Sequence, residues 1–409
     1  MTNDTEQFAT AVRSVTGAWA TSVKMWSFSS LSGAEACPRQ WMLMRASYPT
    51  VWDGHGYPQR PNVPAIQGSV IHGALERILR DVHSCGCNSL ADPDAVETIR
   101  GLGGYSKLIE SGIENQLGQF AGNPRASAVI TAMRAGLVAR LPDMRHKLQS
   151  LLARTSIEAG SAHDDQRREA GPAHRGPLGE GSHPEVQLRA DDLRCVGRAD
   201  LITVADGTCT ITDYKTGQPA DSHAEQLRFY ALLWSRDREL NPSGWPIKRL
   251  VLSYGTHDEV VAAPTAPELT RLAEELAHRI SYAESQLRLR PPPARPAAES
   301  CPHCAVRHLC DEYWASPVAQ ITTTERQRES GFGDTEVQVG QAKGSRSWEV
   351  TLVADGKAAL LRTPTETADF RAGDRLRLLD VAFGRDADSG LATLTMTRFS
   401  ESFTLSAPS

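Results

Sequence analysis

The chain has 409 residues, 40% of them hydrophobic and 23% charged, with a formal net charge of −5. That length implies two or three folding units, at least one with a core large enough to hold a site rigidly. The acidic balance excludes a wholesale basic surface of the kind that coats nucleic acid, though not a local groove, and no stretch approaches the roughly 18 apolar residues of a membrane span.

The opening MTNDTEQFAT lacks the basic and apolar regions of a secretory signal, so the expected location is cytoplasmic with no membrane partner. From Gln67, QGSVIHGALERILRDV carries apolar residues at helical spacing and predicts an amphipathic helix with His72 near its start. Further helices are expected to residue 154, which makes 83–154 a helical insertion. Residues 155–184 hold almost no apolar side chains and read as a flexible insertion.

After residue 184 the period changes. EVQLRA, LRCVGRADLITV and TCTITD predict three strands in succession, AEQLRFYALLW a helix, and KRLVLSY another strand. This order predicts an α/β fold with a mixed sheet core. PELTRLAEELAHRISYAESQL predicts a second amphipathic helix, stopped by the prolines of RPPPARP. Residues 1–318 form this expected domain. From 319 to 409 five short strand signals predict a small β-barrel, with an OB-like barrel as the first expectation. A groove on such a barrel would offer Trp348, Phe370, Phe383, Arg375, Arg377 and Arg398 to a single strand, unless those aromatics fill its core.

The chemistry concentrates in TITDYKTGQ. Asp213 ends a strand, Lys215 follows, and Asp200 stands in GRAD on the preceding strand. In a hairpin the two carboxylates can converge into a hard oxygen site for Mg²⁺ or Mn²⁺, with the lysine beside it to orient water. Alone, Asp-x-Lys at a strand end is usually no more than a surface ion pair. Four features bear on the choice: His72 after Gly-Ser, the G-x-x-D from Gly197 to Asp200, Glu185 at the opening of the first strand, and Gln226 four residues before Tyr230 on one helix face. Each has an ordinary reading as helix surface, core or solvated strand end; their joint occurrence carries the argument.

In this order the set resembles the PD-(D/E)XK nuclease superfamily, in its RecB-like and Cas4-like exonuclease branch, over residues 26–315. The resemblance implies a restriction-endonuclease-like core and a metal held by His72, Asp200, Asp213 and the carbonyl of Tyr214. It further implies Lys215 as the catalytic lysine, and Gln226 and Tyr230 positioning the site or the DNA strand. Glu185 is the weakest member. The implied function is a metal-dependent deoxyribonuclease acting on single-stranded DNA ends in repair or recombination, with a helicase or other repair protein as a possible partner. The rival expectation is a DNA-binding or complex-forming protein that keeps the fold without turnover.

The cysteines form a separate pattern. Cys37 precedes Pro-Arg, and CPHCAVRHLC places Cys301, Cys304 and Cys310 in C-x₂-C-x₅-C. One remote thiolate plus three close ones suits a [4Fe–4S] cluster, and the pattern matches the iron–sulfur staple of AddB-like and Cas4-like nucleases. Zinc is the alternative, with His303 and His308 among the cysteines. Cys85 and Cys87 read as a free-thiol loop, and Cys195 and Cys209 as small buried strand residues.

Overall fold

The computed structural model describes residues 23–49, 51–53, 56–87, 89–158, 175–320, 323–324, 331–364 and 370–405. Two short helices lead in, α1 (Phe28–Ala36) and α2 (Pro38–Arg45), followed by the long α3 (Val63–Ser84). Asn62 caps α3 by accepting from the Ala65 N–H at 3.0 Å, and Pro64 occupies its first turn, where a missing N–H costs nothing. Four helices then fill the expected insertion: α4 (Pro93–Gly101), α5 (Gly104–Gly118), α6 (Ile130–Ala139) and α7 (Leu141–Leu152).

The sheet that follows is β1 (Gly181–Ala190), β2 (Cys195–Ala205), β3 (Thr208–Lys215), β4 (Ile247–Tyr254) and β5 (Asp258–Val261), in that spatial order. β1, β2 and β3 run antiparallel to their neighbours, β3 pairs parallel with β4, and β5 returns antiparallel. The parallel pair requires a crossover, supplied by α8 (Asp221–Arg236). The last long helix, α9 (Ala266–Arg288), starts on a capping box between Thr265 and Glu268.

Each face of the sheet is buried against helices. Cys195, Ala199, Ile202 and Ile211 pack with Leu227, Trp234 and Ile280 of α8 and α9. On the other face Leu201 and Tyr214 join Val70 and Ile71 of α3 and Ile113 and Leu148 of the helical insertion. The insertion is therefore a second wall of the core rather than an appendage.

Three expectations need correction. β1 begins at Gly181, inside the segment read as a flexible insertion, because its backbone pairs with Val204 at the far end of β2; residues 159–174 of that segment lie outside the described residues. Cys85 and Cys87 are joined in a disulfide instead of standing free. β5 carried no signal in the sequence, since only Val261 of its four residues is buried.

A short helix, α10 (Asp311–Ala315), leads to the C-terminal strands β6 (Phe332–Gly344), β7 (Ser347–Leu352), β8 (Ala358–Arg362), β9 (Arg375–Arg385), β10 (Ala392–Thr395) and β11 (Glu401–Leu405). The first five close a ring: β6 pairs with β7, β7 with β8, β8 with β10 in parallel, β10 with β9, and β9 with β6. Closure leaves no free sheet edge within the ring. β11 adds to β9 as a sixth strand beyond the five expected. Trp348 is buried in the barrel core, and Phe370 and Phe383 pack against it, so the core reading of these aromatics holds over the groove reading. Arg375 and Arg377 are likewise committed, both paired to Glu336. Arg398 lies over the Phe399 ring, 5.0 Å from its centroid.

Candidate active site

The register of the first three strands brings three carboxylates together. Asp200 and Asp213 each lie one step beyond the paired residues Leu201 and Thr212 of the β2–β3 hairpin. Glu185 falls opposite Asp200, between the pairs Pro184–Leu201 and Val186–Ala199, and its φ of 54° marks a local break in β1. Like charges placed opposite one another in neighbouring strands cost stability, so this row needs a cation.

The cations present are side chains. His72, on α3, stands with Nδ1 3.7 Å from Asp200 Oδ2. Lys215 Nζ stands 2.5 Å from Asp213 Oδ2 and donates to Gln226 Oε1 at 2.8 Å. The Lys215–Asp213 approach is an ion pair without hydrogen-bond geometry, which leaves Asp213 Oδ2 buried and without a hydrogen-bond partner. Gln226 Nε2 in turn donates to Tyr230 Oη at 2.6 Å. The Tyr214 backbone N–H donates to Asp200 Oδ2 at 2.7 Å, and the Tyr214 hydroxyl is fixed 2.9 Å from Thr155 Oγ1.

Crowding shows in the protonation equilibria. Burial, then the Asp200 charge, pushes the Asp213 carboxyl up to about 6 against the pull of Lys215. Burial and Asp200 push Glu185 up to about 7. For His72 burial lowers the pKa, but the Asp200 contact and the charges of Asp200, Asp213 and Glu185 outweigh it, and the net shift is upward. Burial leads for the two carboxyls and opposes the shift at His72, while the concentrated negative charge raises all three.

Among the described residues no three His, Cys, Asp or Glu groups close on a single ion as they stand; Lys215 and His72 occupy the carboxylates instead. In kind the donors fit a hard divalent ion, since carboxylate oxygens dominate and one of them is buried without a hydrogen bond.

Two motif residues are explained by packing. A Cβ on Gly197 would lie 2.8 Å from Tyr230 Cε1 and 2.9 Å from Leu233 Cδ1, so the glycine of G-x-x-D lets α8 set Tyr230 against β2. A Cβ on Gly68, one helical turn before His72, would lie 3.2 Å from Thr216 Oγ1, so this glycine seats α3 against the DYKTG turn. Sequence reading missed Arg198, inside GRAD itself, which pairs with both Glu185 and Glu76 across the row of acids. Its position within the motif was the available signal.

The four candidate cluster cysteines, remote in sequence, line one small cavity with Leu43, Val306 and Tyr313, and all four are free thiols. Two of the sulfurs receive a backbone N–H, Cys37 from Gln40 at 3.5 Å and Cys301 from Ala297 at 3.3 Å. Such donors favour thiolate, as metal ligation requires. Burial nevertheless pushes the Cys304 thiol up to about 12 and Cys310 up to about 11. His308, the zinc alternative's nitrogen donor, turns away: it is fully buried with Nε2 2.6 Å from Tyr57 Oη, while His303 is exposed.

No curated protein matches the sequence. Among solved structures, the tetrameric p202 HIN2 aligns at 19% identity over 18% of this chain and 42% of that one. The p204 HINb domain aligns at 16% identity over 18% and 39%. A murine DNA-binding protein bound to double-stranded DNA aligns at 8% identity over 55% and 95%. The chain thus spans about two-fifths of the first two, and all three TM-scores are 0.16, too low to carry a fold. The family comparison is of another order: a model of the PD-(D/E)XK nuclease superfamily matches residues 25–311, the stretch that holds every residue of the site just described. The chain belongs to the PD-(D/E)XK nuclease superfamily.

Proposed function

We propose that the chain is a metal-dependent DNA exonuclease of the RecB-like and Cas4-like type, acting on single-stranded ends in cytoplasmic DNA repair or recombination, alongside a helicase or other repair protein. The observation that carries this reading is a pair of linked groups, His72 with Asp200 and Asp213 with Lys215, Gln226 and Tyr230, each joined through contacts of 3.7 Å or less, with Asp200 accepting from the Tyr214 N–H between Asp213 and Lys215.

PD-(D/E)XK nucleases use divalent metals such as Mg²⁺ or Mn²⁺. Here His72, Asp200, Asp213 and the Tyr214 carbonyl would hold the ion, with Glu185 next to them. When bound, the ion polarises the scissile phosphate and lowers the pKa of water. Lys215, held by Gln226 and Asp213, orients the attacking water and offsets charge that develops on phosphate oxygens. Tyr230 locks Gln226, and through it the lysine, into one rotamer. Asp200 fixes the backbone of Tyr214, the residue between the acid and the lysine, by accepting its N–H.

We assign Cys37, Cys301, Cys304 and Cys310 to a [4Fe–4S] cluster that clamps the N-terminal segment to the domain. Four convergent sulfurs, two of them with backbone donors, support it, and the engagement of His308 elsewhere weighs against a mixed Cys–His zinc site. Protein purified without oxygen should be brown and contain iron and sulfide.

The test of catalysis uses end-labelled single-stranded DNA in Mg²⁺. Wild type should degrade it, and Asp213→Ala and Lys215→Ala should each lose roughly a thousandfold in rate. Equal rates in wild type and either variant would refute the assignment.

A further inference from the structure

Beyond Lys215 the site opens into a cleft of about 360 Å³ at the carboxyl ends of the parallel pair β3 and β4. Its walls come from α7, the turn after β3 and the turn between β4 and β5, and they include His146, Lys147, Lys215, Tyr254 and His257. Among the described residues no carboxylate lines it. The charge pattern therefore reverses across Lys215: acids crowd one side, and cations and imidazoles stand on the other. Ends of parallel strands are where open α/β sheets bind ligands.

Three features define a ligand. Lys147 is exposed and donates to the carbonyl of Thr216, the residue after Lys215, at 3.2 Å. Tyr254 pairs with Lys215 across the strands, and its hydroxyl is held 3.0 Å from His223 Nδ1. The exposed His257 ring stacks on the Tyr254 ring, with centroids 5.0 Å apart and planes at 16°. A flat ring already stacked on another is a platform for a nucleobase, and ammonium groups lining one cleft suit a phosphate. The volume is at the small end of the roughly 300–1,000 Å³ of ligand pockets, which suits one nucleotide and not a duplex.

Resting on the nuclease reading of the adjoining site, we propose that this cleft is a subsite for the terminal nucleotide of a DNA strand. The phosphate lies between Lys147 and Lys215 and the base against His257. It gives the site a reason to act at strand ends, because a cleft that holds one nucleotide favours a strand that stops there.

The full-length protein, held in EDTA so that nothing is cleaved, is titrated calorimetrically with deoxythymidine 5′-monophosphate and with thymidine. The monophosphate should bind about tenfold more tightly than the nucleoside, and Lys147→Ala and His257→Ala should each weaken it about fivefold or more. Both residues are exposed, so the variants should melt with wild type. In Mg²⁺ the KM for a linear single-stranded oligonucleotide should rise in the same variants. Monophosphate and thymidine binding alike, or equal affinity in wild type and both variants, would overturn the subsite. Because the titration needs no turnover, a wild type that binds the monophosphate but cleaves nothing sinks the nuclease reading alone. A wild type that cleaves but does not bind it sinks the subsite alone.

Discussion

At the scale of single residues, most charged members of the site were legible, Arg198 excepted, and the packing roles of the small ones were not. Asp200, Asp213 and Lys215 were legible only through their joint occurrence with His72, Gln226 and Tyr230, whereas Gly197 was legible as a motif position but not for the ring it accommodates. Its role is steric. With Tyr230 Cε1 at 2.8 Å and Leu233 Cδ1 at 2.9 Å from the position of an added methyl, neither a rigid ring nor a branched core side chain can yield without α8 moving. Gly197→Ala should therefore destabilise the protein by about 1–3 kcal/mol, read by thermal denaturation, and should slow cleavage through the displaced Tyr230–Gln226–Lys215 chain. A melting curve identical to wild type would show that the helix has room that these distances deny. Glu185 shows a different limit of sequence reading. Its closeness to the metal residues depends on strand register and on a left-handed backbone at one position, and neither is visible in EVQLRA.

At the scale of elements, α3 and the central strands were readable from periodicity, because each buries a face and spaces its apolar residues accordingly. β5 was not, since it lies at the sheet edge and buries almost nothing. The start of β1 was hidden for another reason: Gly181 to Pro184 have loop composition and are held by pairing with a strand already in place. How α3 delivers His72 is also an element-level matter. The helix meets the turn after β3 at Gly68, where a Cβ would stand 3.2 Å from Thr216 Oγ1, close enough to push but not to forbid packing. A bulkier Gly68→Val should lift the first turns of α3 and shift His72 relative to Asp200 while leaving the long apolar stripe of the helix buried. The expected outcome is a fall in cleavage of roughly tenfold or more, with a melting temperature close to wild type. Unchanged cleavage would mean that His72 is not positioned through this contact.

At the scale of the whole molecule, the unexpected feature is where the barrel sits. The residues between Cys304 and Cys310, which the sequence offered as spacers or zinc ligands, are the seat of the C-terminal barrel. Arg307 donates to Asp334 at 2.7 Å, Arg377 reaches back to the His308 carbonyl at 2.6 Å, and Arg125 of the helical insertion grips Glu401 with two bonds of 2.7 Å. His308 lies at the centre, its ring stacked on Phe403 with centroids 3.7 Å apart. Spacing within one segment could not reveal a partner about 100 residues downstream, which is why this interface was illegible. Burial, and then the charges of Arg125, Arg307 and Arg377, hold the His308 imidazole well below its ordinary 6.5, so it is neutral in the folded protein. Once unfolding exposes it, the same ring takes up a proton as the pH falls through 6.5. The unfolded state then binds more protons than the folded one, so stability rises with pH across this window and the contribution is complete above 6.5. Below 6.5 it is lost at up to ~1.4 kcal/mol per pH unit, the slope for one proton, until the folded pKa is reached. Calorimetric melts at pH 7.5, 6 and 5 should show wild type losing more thermal stability than His308→Gln, which has no proton to gain. Carboxylates paired elsewhere in the chain titrate alike in both proteins, so the difference between the two curves isolates His308. Parallel curves would mean that the imidazole is not held neutral by the barrel seated on it.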